Sequence, residues 1–169
     1  RYQRILKMLT KTEKNSPFSG QFPWELTISP HMGNMAFIKQ CCAKMPKGKK
    51  IARFRADSAS YQAEIFNWCE KNNIKFAVGG RMDASVREII RDLDDSKWNP
   101  CEDSSSITCV PHTMHKTNKA FSLIIIRRPW QPDLLDSNAD DSQRYVIVAT
   151  NIKGKPASIV RWYNQRGEA

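Results

Sequence analysis

Long apolar runs are missing from these 169 residues; the longest is the short stretch around residues 123–126. A bilayer-spanning helix needs about 20 apolar residues, so no transmembrane helix is expected. Residues 1–10 lack an apolar segment leading to a small-residue cleavage site, so no signal peptide is expected either. There is no Cys-x-x-Cys pair among the five cysteines, and Cys41 and Cys42 are adjacent. An odd count with a vicinal pair suits no disulfide framework, which points to a reducing, cytoplasmic setting with mostly buried thiols. Acidic side chains are scarce at the start: residues 1–55 hold only Glu13 and Glu25 against 12 basic residues. The remaining residues balance, so the first third carries the whole net charge of +10. That excess argues for a polyanionic partner, the alternative being a protein that is merely basic and soluble.

What is present suffices for a folded core. Apolar residues make up 40% and charged residues 26%, which excludes a disordered polyelectrolyte. Residues 1–24 show no convincing period and include a turn-like stretch over 14–20. From Asn34, the residues Met35, Ile38, Cys42 and Met45 recur at helical spacing until Pro46 and Gly48 end the pattern. Residues 51–55 read as a short strand leading to Asp57. A helix is expected over 60–72, then a strand over 74–78 stopped by Gly79 and Gly80. Ser85 and Glu88 have capping-box spacing ahead of an amphipathic helix containing Val86, Ile89, Ile90 and Leu93.

The polar stretch 92–106 reads as a loop that Trp98 pins to the core. Three β-rich runs follow, at 107–114, 120–127 and 145–150, with an exposed loop over 129–142. Pro156 opens a last helix carrying Ile159, Val160 and Tyr163. The order of elements gives an α/β core over 25–95, a loop and β-rich insertion over 96–154, and a final helix from 155.

Four constellations bear on chemistry. Asp57 follows a strand and precedes a helix, a position that suits either a metal carboxylate on a rigid strand or an ordinary helix cap. Cys101, Cys109, His112 and His115 have zinc-ligating side chains, but their spacing fits no standard zinc motif. Tyr163 and Arg166 are three residues apart on the last helix, and a guanidinium suits phosphate. Trp68, Trp98, Trp130 and Trp162, with Arg127, Arg128 and Arg161 nearby in sequence, allow either core packing or stacking on bases. The densest positive run is Lys44, Lys47, Lys49 and Lys50, followed by Arg53 and Arg55. It reads either as a solvated turn or as a phosphate-backbone contact.

Taken in order, Gly33-Asn34 before a helix, the stretch 45–58 ending in Ala56-Asp57-Ser58, the strand 145–151 and Tyr163-Asn164-Gln165-Arg166-Gly167 resemble DDE-type transposases of bacterial insertion sequences. The resemblance covers roughly residues 25–169. It implies an RNase H-like α/β core interrupted by a β-rich insertion, and metal-dependent DNA cleavage and strand transfer at transposon ends. It makes Asp57 the second of three catalytic carboxylates, binding two Mg²⁺ together with the others, and gives Tyr163 and Arg166 the role of holding DNA phosphates. The third carboxylate, a Glu four residues after the motif Arg, would fall one position past Ala169, and Glu168 is displaced by about 200° around the helix. No acidic residue in the first part has the strand context of the first carboxylate, Glu13 and Glu25 included. The chain is therefore expected to be an incomplete piece of such an enzyme, inactive alone, whose complete form acts on double-stranded DNA, commonly as a dimer. From charge, not from the resemblance, Lys47, Lys49, Lys50, Arg53 and Arg55 are expected to add backbone contacts. The competing expectation is a non-catalytic basic module that binds nucleic acid.

Overall fold

The alternation of β-branched runs with helical periods is realised as one mixed sheet with helices on both faces. The computed structural model describes residues 9–11, 24–28, 34–101, 103–129 and 144–165. The strands are β1 (Leu9–Lys11), β2 (Trp24–Ile28), β3 (Arg53–Ala56), β4 (Lys75–Gly79), β5 (Asn99–Pro100), β6 (Ser106–His112), β7 (Phe121–Arg127) and β8 (Tyr145–Thr150). Their order across the sheet is β1-β2-β3-β4-β8-β7-β6-β5. The pairs β2–β3 and β3–β4 are parallel, and every other pair is antiparallel. The β-rich block therefore extends the same sheet beyond β4. Strands β1 and β2 lie where the sequence reading assigns nothing or only a boundary, and Glu25 stands in a strand after all, beside Arg53 in register.

Four helices complete the layers: α1 (Asn34–Ala43), α2 (Ala63–Lys71), α3 (Ala84–Asp92) and α4 (Pro156–Asn164). In α1, Met35, Ile38 and Cys41 recur every third residue and are buried, and the helix ends before Pro46 and the left-handed Gly48 (φ 77°). Helix α2 buries Ile65, Phe66 and Cys69. The cap of α3 differs from the expected Ser85–Glu88 box. Asp83 Oδ1 accepts from Val86 N at 3.0 Å and from Ser85 Oγ at 2.9 Å, so Asp83 is the cap and the helix starts two residues earlier. Pro156 sits in the first turn of α4, where its missing N–H costs nothing.

Two apolar layers form because a strand points alternate residues to opposite faces. On one face Phe54, Ala56, Phe76, Val78, Leu123 and Ile125 pack with α1, α2 and α3. Phe66 stacks on Phe76 with ring centroids 4.5 Å apart, and burying each such ring contributes roughly 1.5–3 kcal/mol. On the other face Ala77, Ile124 and Val148 pack against Ile159, Trp162 and Tyr163 of α4. Among the described residues no helix is long and apolar enough to cross a membrane.

Strand direction gives the sheet two distinct ends. The chain leaves β3 at Asp57 and β4 at Gly80, and helices α1 and α2 lead back to the opposite end, from which the parallel strands start. Because β8 runs antiparallel to β4, α4 begins at that starting end and climbs toward the Asp57 end.

Candidate functional site

Asp57 sits at the carboxyl end of β3 and opens a one-turn 3-10 helix, Ser58–Ser60. Its Oδ1 accepts from Ala59 N at 3.1 Å, so the side chain caps this turn while remaining partly exposed. Cap and ligand are compatible roles for a carboxylate, which has two oxygens and about four lone-pair sites. The turn is held from two sides. Asn34 Nδ2, at the start of α1, donates to Ser60 Oγ at 3.0 Å, and Arg81 Nε, just after β4, donates to the Ser58 carbonyl at 3.1 Å. Three segments distant in sequence thus fix the backbone around one carboxylate, the arrangement that keeps a functional side chain in place.

Helix α4 brings Tyr163 to the same spot. A Cβ placed on Gly79 would stand 2.7 Å from Tyr163 Oη, 2.9 Å from Ser58 N and 3.3 Å from the Asp57 carbonyl carbon. The phenol and the Asp57 turn therefore meet across a glycine with no room for a side chain. In the sequence Gly79 reads as a strand terminator; its use is close approach, a common reason for glycine inside a strand. Arg81 does not stand out in the sequence, and nothing in its spacing marks it.

The basic residues expected to contact phosphate divide into two groups. Lys47, Lys49 and Lys50 are exposed, but they precede β3, about 13 Å from its Asp57 end at 3.3 Å per residue. Arg53 and Arg55 are buried, 8% and 6% exposed. Arg55 Nη1 donates to the Trp162 carbonyl at 2.6 Å, and the guanidiniums of Arg55 and Arg53 lie 5.3 Å and 5.9 Å from the Trp162 ring centroid. The expectation that both project toward DNA is thereby corrected. They occupy the sheet face under α4, where a planar cation can stack on an indole. Arg166 and Glu168 lie outside the described residues, as do Glu13, Trp130 and most of the 129–142 loop.

Magnesium asks for about six oxygen ligands in near-octahedral geometry and keeps several waters. Asp57 supplies one carboxylate, and among the described residues no three His, Cys, Asp or Glu side chains converge as a ligand group. The residues described therefore do not by themselves fit a two-magnesium centre. The Cys101, Cys109, His112 and His115 set does not assemble into a ligand group either. Cys109 is exposed and Cys101 half-buried, and burial pushes the His112 pKa down, with Asp83 partly opposing.

Trp68, Trp98 and Trp162 are packing residues. Trp68 meets Phe54 edge-on at 6.5 Å. Trp98 is 9% exposed and covered by the Arg127 guanidinium at 4.5 Å, while Arg127 Nη1 bonds Asp95 Oδ1 at 2.9 Å. An open pocket of about 320 Å³ beside them is lined by Arg128, Arg144 and Ser104 among others. It lies at the β5–β6 edge of the sheet, several strands from Asp57. Burial raises the Cys41 pKa to about 11, with Cys42 adding to the shift, and holds Cys69 well above the ordinary thiol value. These two thiols are therefore core residues, but Cys42 and Cys101 are half-buried and Cys109 is exposed, so the expectation of mostly buried cysteines holds for two of the five. No protein-family profile and no curated protein sequence matches the chain.

Proposed function

We propose that this chain is part of the catalytic region of a DDE-type DNA transposase, with an RNase H-like core and Asp57 as one of its metal carboxylates. The observation that carries this reading is the meeting of Asp57, Gly79 and Tyr163 at one sheet end. The Ala56-Asp57-Ser58 segment and the Tyr163 helix, which carry the resemblance, are separated by more than half the chain, and their meeting at one place is what this reading requires. The parallel β2-β3-β4 set with helices on both faces supports the same reading.

In the complete enzyme Mg²⁺ would act as the Lewis acid for phosphodiester cleavage and strand transfer. This chain contributes a carboxylate whose turn is clamped by Asn34, through the Ala59 carbonyl and Ser60 Oγ, and by Arg81, through the Ser58 carbonyl. Tyr163 is 4% exposed, so in place of the expected direct hold on DNA phosphates it takes a positioning role at the Asp57 turn. Arg55 and Arg53 hold α4 on the sheet so that Tyr163 stays in place. The further carboxylates belong to polypeptide outside the described residues, and the substrate is double-stranded DNA, with a dimer the working form.

The test is nicking of supercoiled plasmid in Mg²⁺. The 169-residue chain should leave the plasmid intact, whereas the full reading frame that contains it should nick, with activity reduced at least a hundredfold by Asp57→Asn. Full activity in Asp57→Asn would overturn the assignment. Nicking by the 169 residues alone, lost in Asp57→Ala, would overturn the claim that the centre is incomplete.

A further inference from the structure

The fold gathers lysines at the sheet end remote from Asp57. Four segments meet there: 44–52 leading into β3, 71–75 leading into β4, the β6–β7 connection 113–120, and 151–156 between β8 and α4. Together they contain ten lysines and no Asp or Glu. All ten are exposed. The opposite end is mixed, with Asp57, Asp83, Asp94, Asp95 and Asp103 beside Arg81, Lys97 and Arg128.

The segments are joined into one surface. Asn151 Oδ1 accepts from Phe76 N at 2.8 Å, and its Nδ2 donates to the Ile74 carbonyl at 3.0 Å and to Glu70 Oε1 at 2.7 Å. Glu70 Oε2 in turn pairs with Lys119 Nζ at 3.3 Å. Asn67 ties the 113–120 connection to α2, donating to the Lys116 carbonyl and accepting from Asn118 N, both at 2.8 Å. Lys75 N donates to the Ala52 carbonyl at 3.0 Å, fastening the 44–52 segment alongside. Among the described residues Glu70 thus borders the surface, and it is already engaged.

We propose that this lysine surface binds the phosphate backbone of a nucleic-acid duplex, as a site distinct from the Asp57 centre. Lysine is a compact point charge on a flexible stem, suited to phosphates without base readout. From β3 to β6 the surface spans roughly 15–20 Å at about 4.8 Å per strand, and a duplex presents a charge every ~1.7 Å of its axis. The lysines come from loops between strands, with no amphipathic helix presenting an apolar face, which favours a duplex over a lipid surface. This inference does not depend on the nuclease reading.

The experiment is fluorescence anisotropy of a labelled duplex of mixed sequence, titrated at several salt concentrations. Lys153→Gln/Lys155→Gln, and separately Lys47→Gln/Lys50→Gln, should weaken binding several-fold and lower the salt slope by about 2, since each lysine that no longer meets a phosphate takes about 1 from it. Lys97→Gln/Arg128→Gln removes the same charge at the other end and should change neither. Anisotropy read without Mg²⁺ reports binding alone, whereas plasmid nicking reports the Asp57 centre, which separates failure here from failure of the nuclease assignment. Equal losses in all three double variants would reduce the effect to net charge and overturn the site. Unchanged binding in both lysine variants would overturn it too, as would tighter binding to phosphatidylserine vesicles than to duplex at equal phosphate. Circular dichroism confirms that each exposed-surface variant is folded.

Discussion

Gly79 is where the chemistry of single residues is most exposed to test. Any Cβ there meets the Tyr163 hydroxyl and the Ser58 backbone nitrogen below 3.0 Å. Gly79→Ala should destabilise the protein by about 1–3 kcal/mol, the usual cost of overpacking. Tyr163→Phe removes one of the two clashing atoms. The Gly79→Ala/Tyr163→Phe double variant should therefore be less destabilised than the sum of the singles, by at least about 0.5 kcal/mol in a urea-unfolding cycle. Strict additivity would show that the phenol does not rest on Gly79. Asp57 itself is legible in the sequence because it follows a strand and carries the resemblance. Its clamps, Asn34 and Arg81, are not legible as such, since a hydrogen bond across more than 20 residues leaves no local pattern. Arg53 and Arg55 show the converse. Their charge reads as solvent-facing, but alternation along β3 turns both onto the face that α4 covers.

Elements are legible where a period runs long enough and obscure where pairing decides. The helices around Ile65, Val86 and Ile159 fall within a few residues of expectation, as does the strand β8. Trp24-Glu25-Leu26-Thr27-Ile28 alternates apolar and polar, a signal that could have identified β2. Turn residues before it mask that signal, and its parallel partner β3 lies beyond an intervening helix. The loop after β8 is another case of structure set by distant partners. Asn151 satisfies a backbone N–H of β4, a backbone carbonyl and a carboxylate at once. Asn151→Ala should cost about 2–4 kcal/mol, from the missing hydrogen bonds and a stranded donor. It should also loosen the lysine surface, visible as faster amide exchange at Phe76. Unchanged exchange and a loss below about 0.5 kcal/mol would deny Asn151 its joining role.

Over the whole molecule, the titrating groups bias stability toward neutral pH. Burial holds the His112 pKa below its ordinary value, with Asp83 only partly opposing. The unfolded chain therefore takes up this proton first, and stability falls as pH drops below about 6.5. Asp94 and Asp103 are held below the usual carboxylate value by hydrogen bonds from Ser96 and Ser105. Their contribution is present above about pH 4 and is lost as pH falls through their folded values. Urea midpoints should decline from pH 7 toward pH 5, and His112→Asn should flatten that first decline without altering the second. A midpoint that rises on acidification to pH 5 would reverse the assignment. The same scale reveals the separation of a lysine end from a mixed end, which net charge alone does not contain.

The sequence by itself determined the sheet-and-helix class, most element positions, the inward face that carries Cys69 and the prominence of Asp57, because these follow from local period and side-chain chemistry. The tertiary structure alone decided that Tyr163 stands over Gly79 beside Asp57, that two arginines turn inward beneath Trp162, and that lysines from four segments share one end. Each depends on strand order and direction, and those are fixed by pairing between segments too far apart for any pattern along the chain to record.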